Sequence, residues 1–156
     1  MNVFDEHFKD LNNVQSDVDI TLPDDISEYN SVINGQITEK EIVNAIKSLK
    51  NNKACGGDMI LNEFLKYSSV KLMPVFVKIF NIVFESGIIP DCWSEGSICH
   101  IYKNKGDPAS ADNYRGIAIL SCYGKLFTCI LNNRLSCYLE SLGLLCEEQA
   151  GFRKHH

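Results

Sequence analysis

The sequence predicts an α+β domain in which amphipathic helices pack around one small basic hairpin. Three observations carry that prediction. Two long segments, Leu72 to Phe84 and Leu126 to Leu142, repeat apolar residues three or four apart. Two short runs rich in β-branched and aromatic residues, Gly96 to Tyr102 and Tyr114 to Leu120, read as strands. A polar stretch with two lysines, KNKGDPASADN, lies between the strands as a long tip.

The elements follow in chain order. Residues 1 to 36 are rich in Asp, Asn and Ser and lack sustained apolar periodicity, so they read as an acidic, loosely ordered leader, with the folded domain spanning 37 to 156. Thr38 followed by Glu41 is a capping box and starts a helix from about Glu39 to Lys50, with Ile42, Ile46 and Leu49 on its apolar face. Asn51-Asn52 and Gly56-Gly57 interrupt regular structure, and Asp58 is placed to cap a second helix containing Leu61, Phe64 and Leu65. A third helix from Lys71 to Glu85 tolerates Pro74 in its first turn, repeats Leu72, Phe76, Ile79, Phe80, Val83 and Phe84, and stops at Gly87. The two strands come next. The last helix, from Cys122 to Leu142, repeats Leu126, Ile130, Leu131, Leu135, Leu139 and Leu142 and ends at Gly143.

Composition bounds the function. With 156 residues, 45% hydrophobic and 22% charged, the chain has the length and make-up of one soluble domain. Lys78 and Asn81 break the longest apolar stretch, so no bilayer span is expected, and the acidic start MNVFDEHFKD does not read as a signal peptide. A cytoplasmic or nuclear setting follows. The net charge of −5 is uneven: residues 1 to 37 hold eight acids against Lys9, whereas Ile98 to Arg134 carries five bases against Asp107 and Asp112. Any phosphate-binding surface must therefore be local.

Single residues read plainly when taken alone. Seven cysteines without a C-x-x-C pair favour neither disulfides nor zinc; Cys92, Cys99 and His100, even joined by Cys122 or Cys129, match no zinc spacing, and the cysteines read as small core hydrophobes. Trp93, following Pro90, reads as a core or hinge anchor rather than a base-stacking platform. Asp24-Asp25, in the acidic leader, reads as solvated charge rather than a metal site, and neither His155 nor His156 has a neighbouring nucleophile.

Four strings in order, KACGGDMILNEFLK, GIIPDCWSEGSICHIYKNKGD, NYRGIAILSCYGKLFTCILNNRL and EEQAGFR, resemble the N-terminal part of the reverse transcriptases of non-LTR (LINE-type) retrotransposons, over roughly Ile37 to Arg153. The resemblance implies the fingers and the entrance to the palm of a right-hand polymerase. By position, Lys103 and Arg115 resemble the finger residues that grip the triphosphate of an incoming deoxynucleotide, with Lys105 the rival for the lysine role. Gln149, Gly151, Phe152 and Arg153 resemble the palm-entry string, near the template or nucleotide pocket. The family usually has prolines where Cys55 and Gly57 stand and a glycine where Met59 stands, and Gly116 occupies a site that takes proline or glycine.

The family's catalytic carboxylates lie beyond the palm-entry string, so the resemblance implies a chain with no catalytic residue of its own and no cofactor. The complete family enzyme uses Mg²⁺, an RNA template, a DNA primer and deoxynucleotides. The expectation is a fragment of an RNA-directed DNA polymerase, inactive alone, with no membrane partner and with a tendency to self-associate through the surface that would face the palm. The alternatives are a non-catalytic nucleic-acid or protein interaction module, or a retrotransposon remnant without selected function.

Overall fold

The computed structural model describes residues 3 to 12 and 30 to 144, in two compact units. Among the described residues, one comprises 3 to 12 with 97 to 119; the other comprises 30 to 96 with 120 to 144. The α+β prediction is met by helices together with a two-stranded antiparallel sheet.

The second unit is helical. Its elements are α2 (Ser31–Asn34), α3 (Glu39–Ser48), α4 (Asn62–Ser86), α5 (Asp91–Ser94) and α6 (Cys122–Ser141), with α1 (Val3–Asn12) belonging to the other unit. The capping box forms as expected: the Thr38 hydroxyl accepts from the Glu41 amide, and the Glu41 carboxylate accepts from the Thr38 amide at 2.8 Å. The core brings Ile42, Ala45 and Ile46 of α3 against Leu65, Phe76, Phe80 and Val83 of α4 and Leu126, Phe127 and Ile130 of α6. Trp93 anchors that core as expected, edge-on to Phe80 and stacked with Tyr123.

The structure corrects three expectations here. The two helices expected before Gly87 are one helix of 25 residues, because Leu65, Leu72, Phe76, Phe80 and Val83 form one continuous face. Pro74 consequently sits mid-helix, and it is tolerated because it lies on the exposed side, below a Val70 that is 88% exposed, where water can satisfy the carbonyl that loses its amide partner. Asp58 does not cap α4; its carboxylate accepts from the Ile60 amide at 3.1 Å and from the Ser121 hydroxyl at 2.7 Å, tying the glycine-rich turn to the start of α6. Gly87 ends α4 as expected, in the left-handed conformation at φ +68°. α4 is long and apolar enough to cross a membrane, contrary to the sequence expectation, yet its Leu65, Phe76, Phe80 and Val83 are committed to the core.

In α6 the expected apolar row is only partly inward: Leu135 and Leu142 are about half exposed. Arg134 takes an inward position instead, four residues beyond Ile130. All five of its N–H groups are used. Nε and one terminal nitrogen reach the Glu41 carboxylate at 2.5 and 3.0 Å, and the other donors reach the carbonyls of Ile33, Gly35 and Gln36. The guanidinium also lies 5.3 Å over the Phe84 ring. One side chain thus fastens residues 33 to 41 to α6.

The first unit holds α1 and a hairpin of β1 (Gly96–Tyr102) and β2 (Tyr114–Leu120), both strands with the predicted bounds. The leader was expected to be loosely ordered throughout, but Val3–Asn12 and Ser31–Asn34 are helical. The physical reason in α1 is the spacing of Phe4 and Phe8 on one helical face. Phe8 is buried and stacks on His100 at 4.6 Å, and Phe4 meets the Tyr114 ring edge-on at 4.9 Å. Gly116 makes room for this contact, since a Cβ there would stand 2.8 Å from the Phe8 ring.

Candidate functional site

Strand pairing places the two principal candidates. The Lys103 amide donates to the Asn113 carbonyl at 2.8 Å, so Lys103 lies opposite Asn113; continuing the antiparallel register sets Tyr102 opposite Tyr114, whose rings are 5.3 Å apart, and Ile101 opposite Arg115. Side chains alternate across a sheet. His100, Tyr114 and Gly116 face α1, and Lys103, Ile101 and Arg115 therefore share the other face. On that face Ile101 and Ile117 are nearly half exposed, a partly apolar floor beside the two basic residues.

The tip is held by side chains from both strand ends. The Tyr102 hydroxyl donates to the Gly106 carbonyl at 2.5 Å, the Asn113 amide to the Asp107 carbonyl at 2.9 Å, and the Tyr114 hydroxyl to the Pro108 carbonyl at 3.0 Å. Gly106 stands at φ +85°, and a Cβ there would strike the Asn113 side chain at 2.5 Å. In the Asn-Tyr-Arg string, then, Asn113 and Tyr114 fix the tip. Arg115 is exposed and makes no hydrogen bond or ion pair among the described residues. The Lys103 ammonium donates to the Asp112 carbonyl at 2.6 Å, so a charged group is anchored at the tip's base without being neutralised. Lys105 is exposed at the turn itself, between Asn104 at φ +55° and Gly106. Gln149, Gly151, Phe152 and Arg153 lie outside the described residues.

Burial changes the charge reading. Sequence counting credited Ile98 to Arg134 with five bases, but Arg134 is buried and paired with Glu41, whose carboxyl it holds well below the usual range, at about 2. The hairpin from Ile98 to Leu120 carries only Lys103, Lys105 and Arg115 against Asp107 and Asp112. Arg134 had a signal in the sequence: Leu126, Ile130 and Arg134 are four apart, which puts the arginine on the buried row.

The cysteine reading is corrected as well. Only Cys122 is buried among the described cysteines, its thiol pushed up by desolvation, whereas Cys92, Cys99 and Cys137 are exposed. Among the described residues no three His, Cys, Asp or Glu side chains converge.

The turn before α4 explains one departure noted in sequence. Met59 stands at φ +56°, the left-handed region that favours glycine, and its side chain is 77% exposed. Gly56 packs so closely that a Cβ would lie 2.7 Å from the Ser121 amide nitrogen.

No family model matches the sequence. Over 120 residues, 77% of its length, the chain is 33% identical to the probable RNA-directed DNA polymerase from transposon BS of Drosophila melanogaster. It is 30% identical over the same length to the RNA-directed DNA polymerase from mobile element jockey, and 30% identical over 116 residues to the probable RNA-directed DNA polymerase from transposon X-element, both of the same species. The chain spans about 13% of the length of these relatives.

Proposed function

We propose, because this chain belongs to the family of RNA-directed DNA polymerases from non-LTR transposons, that it forms the fingers and palm entrance of a right-hand polymerase and that its hairpin receives a deoxynucleotide triphosphate. The observation that carries the reading is the shared face of Lys103 and Arg115, with Arg115 left without a partner among the described residues by a tip that Asn113 and Tyr114 already secure. A guanidinium fork on a strand suits the paired non-bridging oxygens of a phosphate. Lys103 adds a second positive charge close to it, because a phosphate oxygen can replace the Asp112 carbonyl as acceptor. Lys105 is the alternative lysine. Both positions favour charge that builds on the transferred phosphoryl group.

Gln149, Gly151, Phe152 and Arg153 are proposed to meet the template or the nucleotide pocket. The metal-binding carboxylates, and with them Mg²⁺, belong in this reading to the rest of the polymerase, which also positions the RNA template and DNA primer. The chain alone is then inactive in primer extension. It exposes Phe64, Val75, Ile79 and Ile82 along one side of α4, an apolar row that the rest of the polymerase would cover and through which the isolated chain self-associates.

The test is a chimera in which residues 37 to 153 replace the corresponding part of a related polymerase. Extension on an RNA template is expected, and Arg115→Ala should reduce it tenfold or more, about 1.4 kcal/mol or more of lost transition-state contact. A chimera whose rate is indifferent to Arg115→Ala overturns the assignment.

A further inference from the structure

Three sulfur-bearing side chains lie together where the glycine-rich turn meets the start of α6. The Cys55 thiol donates to the Met59 thioether sulfur at 4.0 Å. Gly56, next to Cys55, is pressed onto the residue before Cys122: a Cβ there would stand 2.7 Å from the Ser121 nitrogen and 2.9 Å from its Cα. Cys55 and Cys122 are thus on adjoining stretches of backbone. Desolvation is the main cause that pushes the Cys122 thiol up, and a charge on Cys55 is close enough to push it further. The turn is held in this place by Asp58, which accepts from the Ile60 amide and from the Ser121 hydroxyl. The three sulfurs grade from the interior to the surface: Cys122 is 1% exposed, Cys55 is half-buried and Met59 is 77% exposed.

Met59 holds its sulfur there at a cost. Its backbone is left-handed at φ +56°, which disfavours any residue with a Cβ, and so exposed a side chain recovers little of that cost by packing. Two thiols and a thioether are soft donors, and soft donors select Cu⁺. Zn²⁺ is a poorer match, because its structural sites take four Cys, His or carboxylate ligands, and among the described residues no third such side chain joins the two cysteines. Cys122 is also the first residue of α6, a 20-residue helix whose amino end favours a thiolate, with Lys125 one turn further on. We infer that Cys55, Cys122 and Met59 form a Cu⁺ site that fastens the turn before α4 to the start of α6. Binding releases the two thiol protons and leaves the oxidation state of the copper unchanged. Neither Cys55 nor Met59 is the usual residue of the family at its position, so the site stands apart from the polymerase reading.

The experiment uses the full chain, reduced and kept free of oxygen, with Cu⁺ supplied as its acetonitrile complex and bicinchoninate as the competing chelator. One Cu⁺ per chain should be taken from the chelator. X-ray absorption at the copper edge should show sulfur neighbours alone, and amide exchange should slow at residues 55 to 59 and 121 to 124. Cys55→Pro and Cys122→Ser should each abolish the complex, a loss beyond the about 10- to 100-fold that removing a supporting contact costs, while Met59→Gly should weaken it about tenfold. Cys122 is buried, so its variant tests the site only if circular dichroism shows it folded; Cys55→Pro, at a half-buried position on a turn, tests it in either case. Cys99→Ser with Cys137→Ser, which removes two exposed thiols outside the cluster, should leave the complex intact. Retention of the complex by Cys55→Pro overturns the inference. So does its loss in the Cys99 and Cys137 double variant, a nitrogen or oxygen neighbour at the copper, or failure of the unaltered chain to take Cu⁺ from the chelator. None of these outcomes bears on the chimera assay.

Discussion

Replacing Arg134 with alanine should cost the helical unit about 3 kcal/mol. Arg134 donates five hydrogen bonds, two of them to the Glu41 carboxylate. Breaking a buried ion pair from one side typically costs about 3 to 5 kcal/mol, since the remaining charge stays desolvated. Arg134 is 8% exposed but Glu41 is 30% exposed, so water can rehydrate the carboxylate in part, which places the cost at the lower end of that range. Against a typical total stability of about 5 to 15 kcal/mol, this is a large fraction. Lysine should recover only part of it, because an ammonium has three donors where the guanidinium has five. In urea followed by circular dichroism at pH 7, with a slope of about 1 to 3 kcal/mol/M, the midpoint should fall by about 1 to 3 M.

The same pair fixes a pH window. The Arg134 hydrogen bonds are the largest cause of the depressed Glu41 carboxyl, followed by the opposing effect of burial and then the Thr38 contacts. A carboxyl lowered on folding contributes stability that is complete above its ordinary value near 4.5 and is lost as pH falls toward about 2. That loss between pH 4.5 and 2 should shrink in Arg134→Ala, where the main cause is gone. A midpoint shift below about 0.3 M at pH 7, or an acid dependence unchanged by the substitution, would refute this account of Arg134 as the clip.

The remaining predictions concern packing and backbone. Met59→Gly should raise stability by about 0.5 to 1 kcal/mol, the relief of left-handed strain less glycine's entropy, read as a higher urea midpoint; a lower midpoint means the exposed methionine contributes packing after all. Phe80→Ala, at a fully buried ring, should cost about 3 to 5 kcal/mol in the same assay. Gly116→Val should displace Phe8 and so speed amide exchange in α1 while leaving α6 protected; unchanged exchange in α1 would show that the glycine is not there for Phe8.

The parts of the fold readable in sequence were those where local chemistry and burial agree. Thr38 and Glu41 satisfy each other's backbone within one turn, and both strands are short runs of β-branched and aromatic residues bounded by polar ones, so their bounds needed no tertiary knowledge. α4 reads as two helices in the sequence because Asp58 and Pro74 are ordinary helix-start signals. The aspartate was claimed by Ser121, 63 residues away in sequence, and the proline was excused by solvent, neither of which a local window contains. Arg134 failed for the converse reason: its charge suggested surface, while its register with Leu126 and Ile130 suggested core. At the candidate site the sequence supplies Lys103 and Arg115, with Lys105 as a rival for the lysine role. Only the register and the tip's hydrogen bonds distinguish an arginine without a partner from a lysine engaged with Asp112 and a lysine at the turn.

The helical unit is discontinuous in the chain, its two parts separated by the hairpin from Ser97 to Ile119. A ribosome therefore delivers α3 and α4, then the whole hairpin, and only afterwards the α6 side chains that complete their core. The Glu41 to Arg134 bond spans 93 residues and must wait for this last segment. At synthesis rates of about 5 to 20 residues per second, Ile42, Phe76 and Phe80 remain without that cover for seconds. Slow, late-closing assembly follows from the order of segments alone. During that interval the apolar faces of α3 and α4 stay open to solvent, and a stall within the hairpin would strand the nascent chain with half a core.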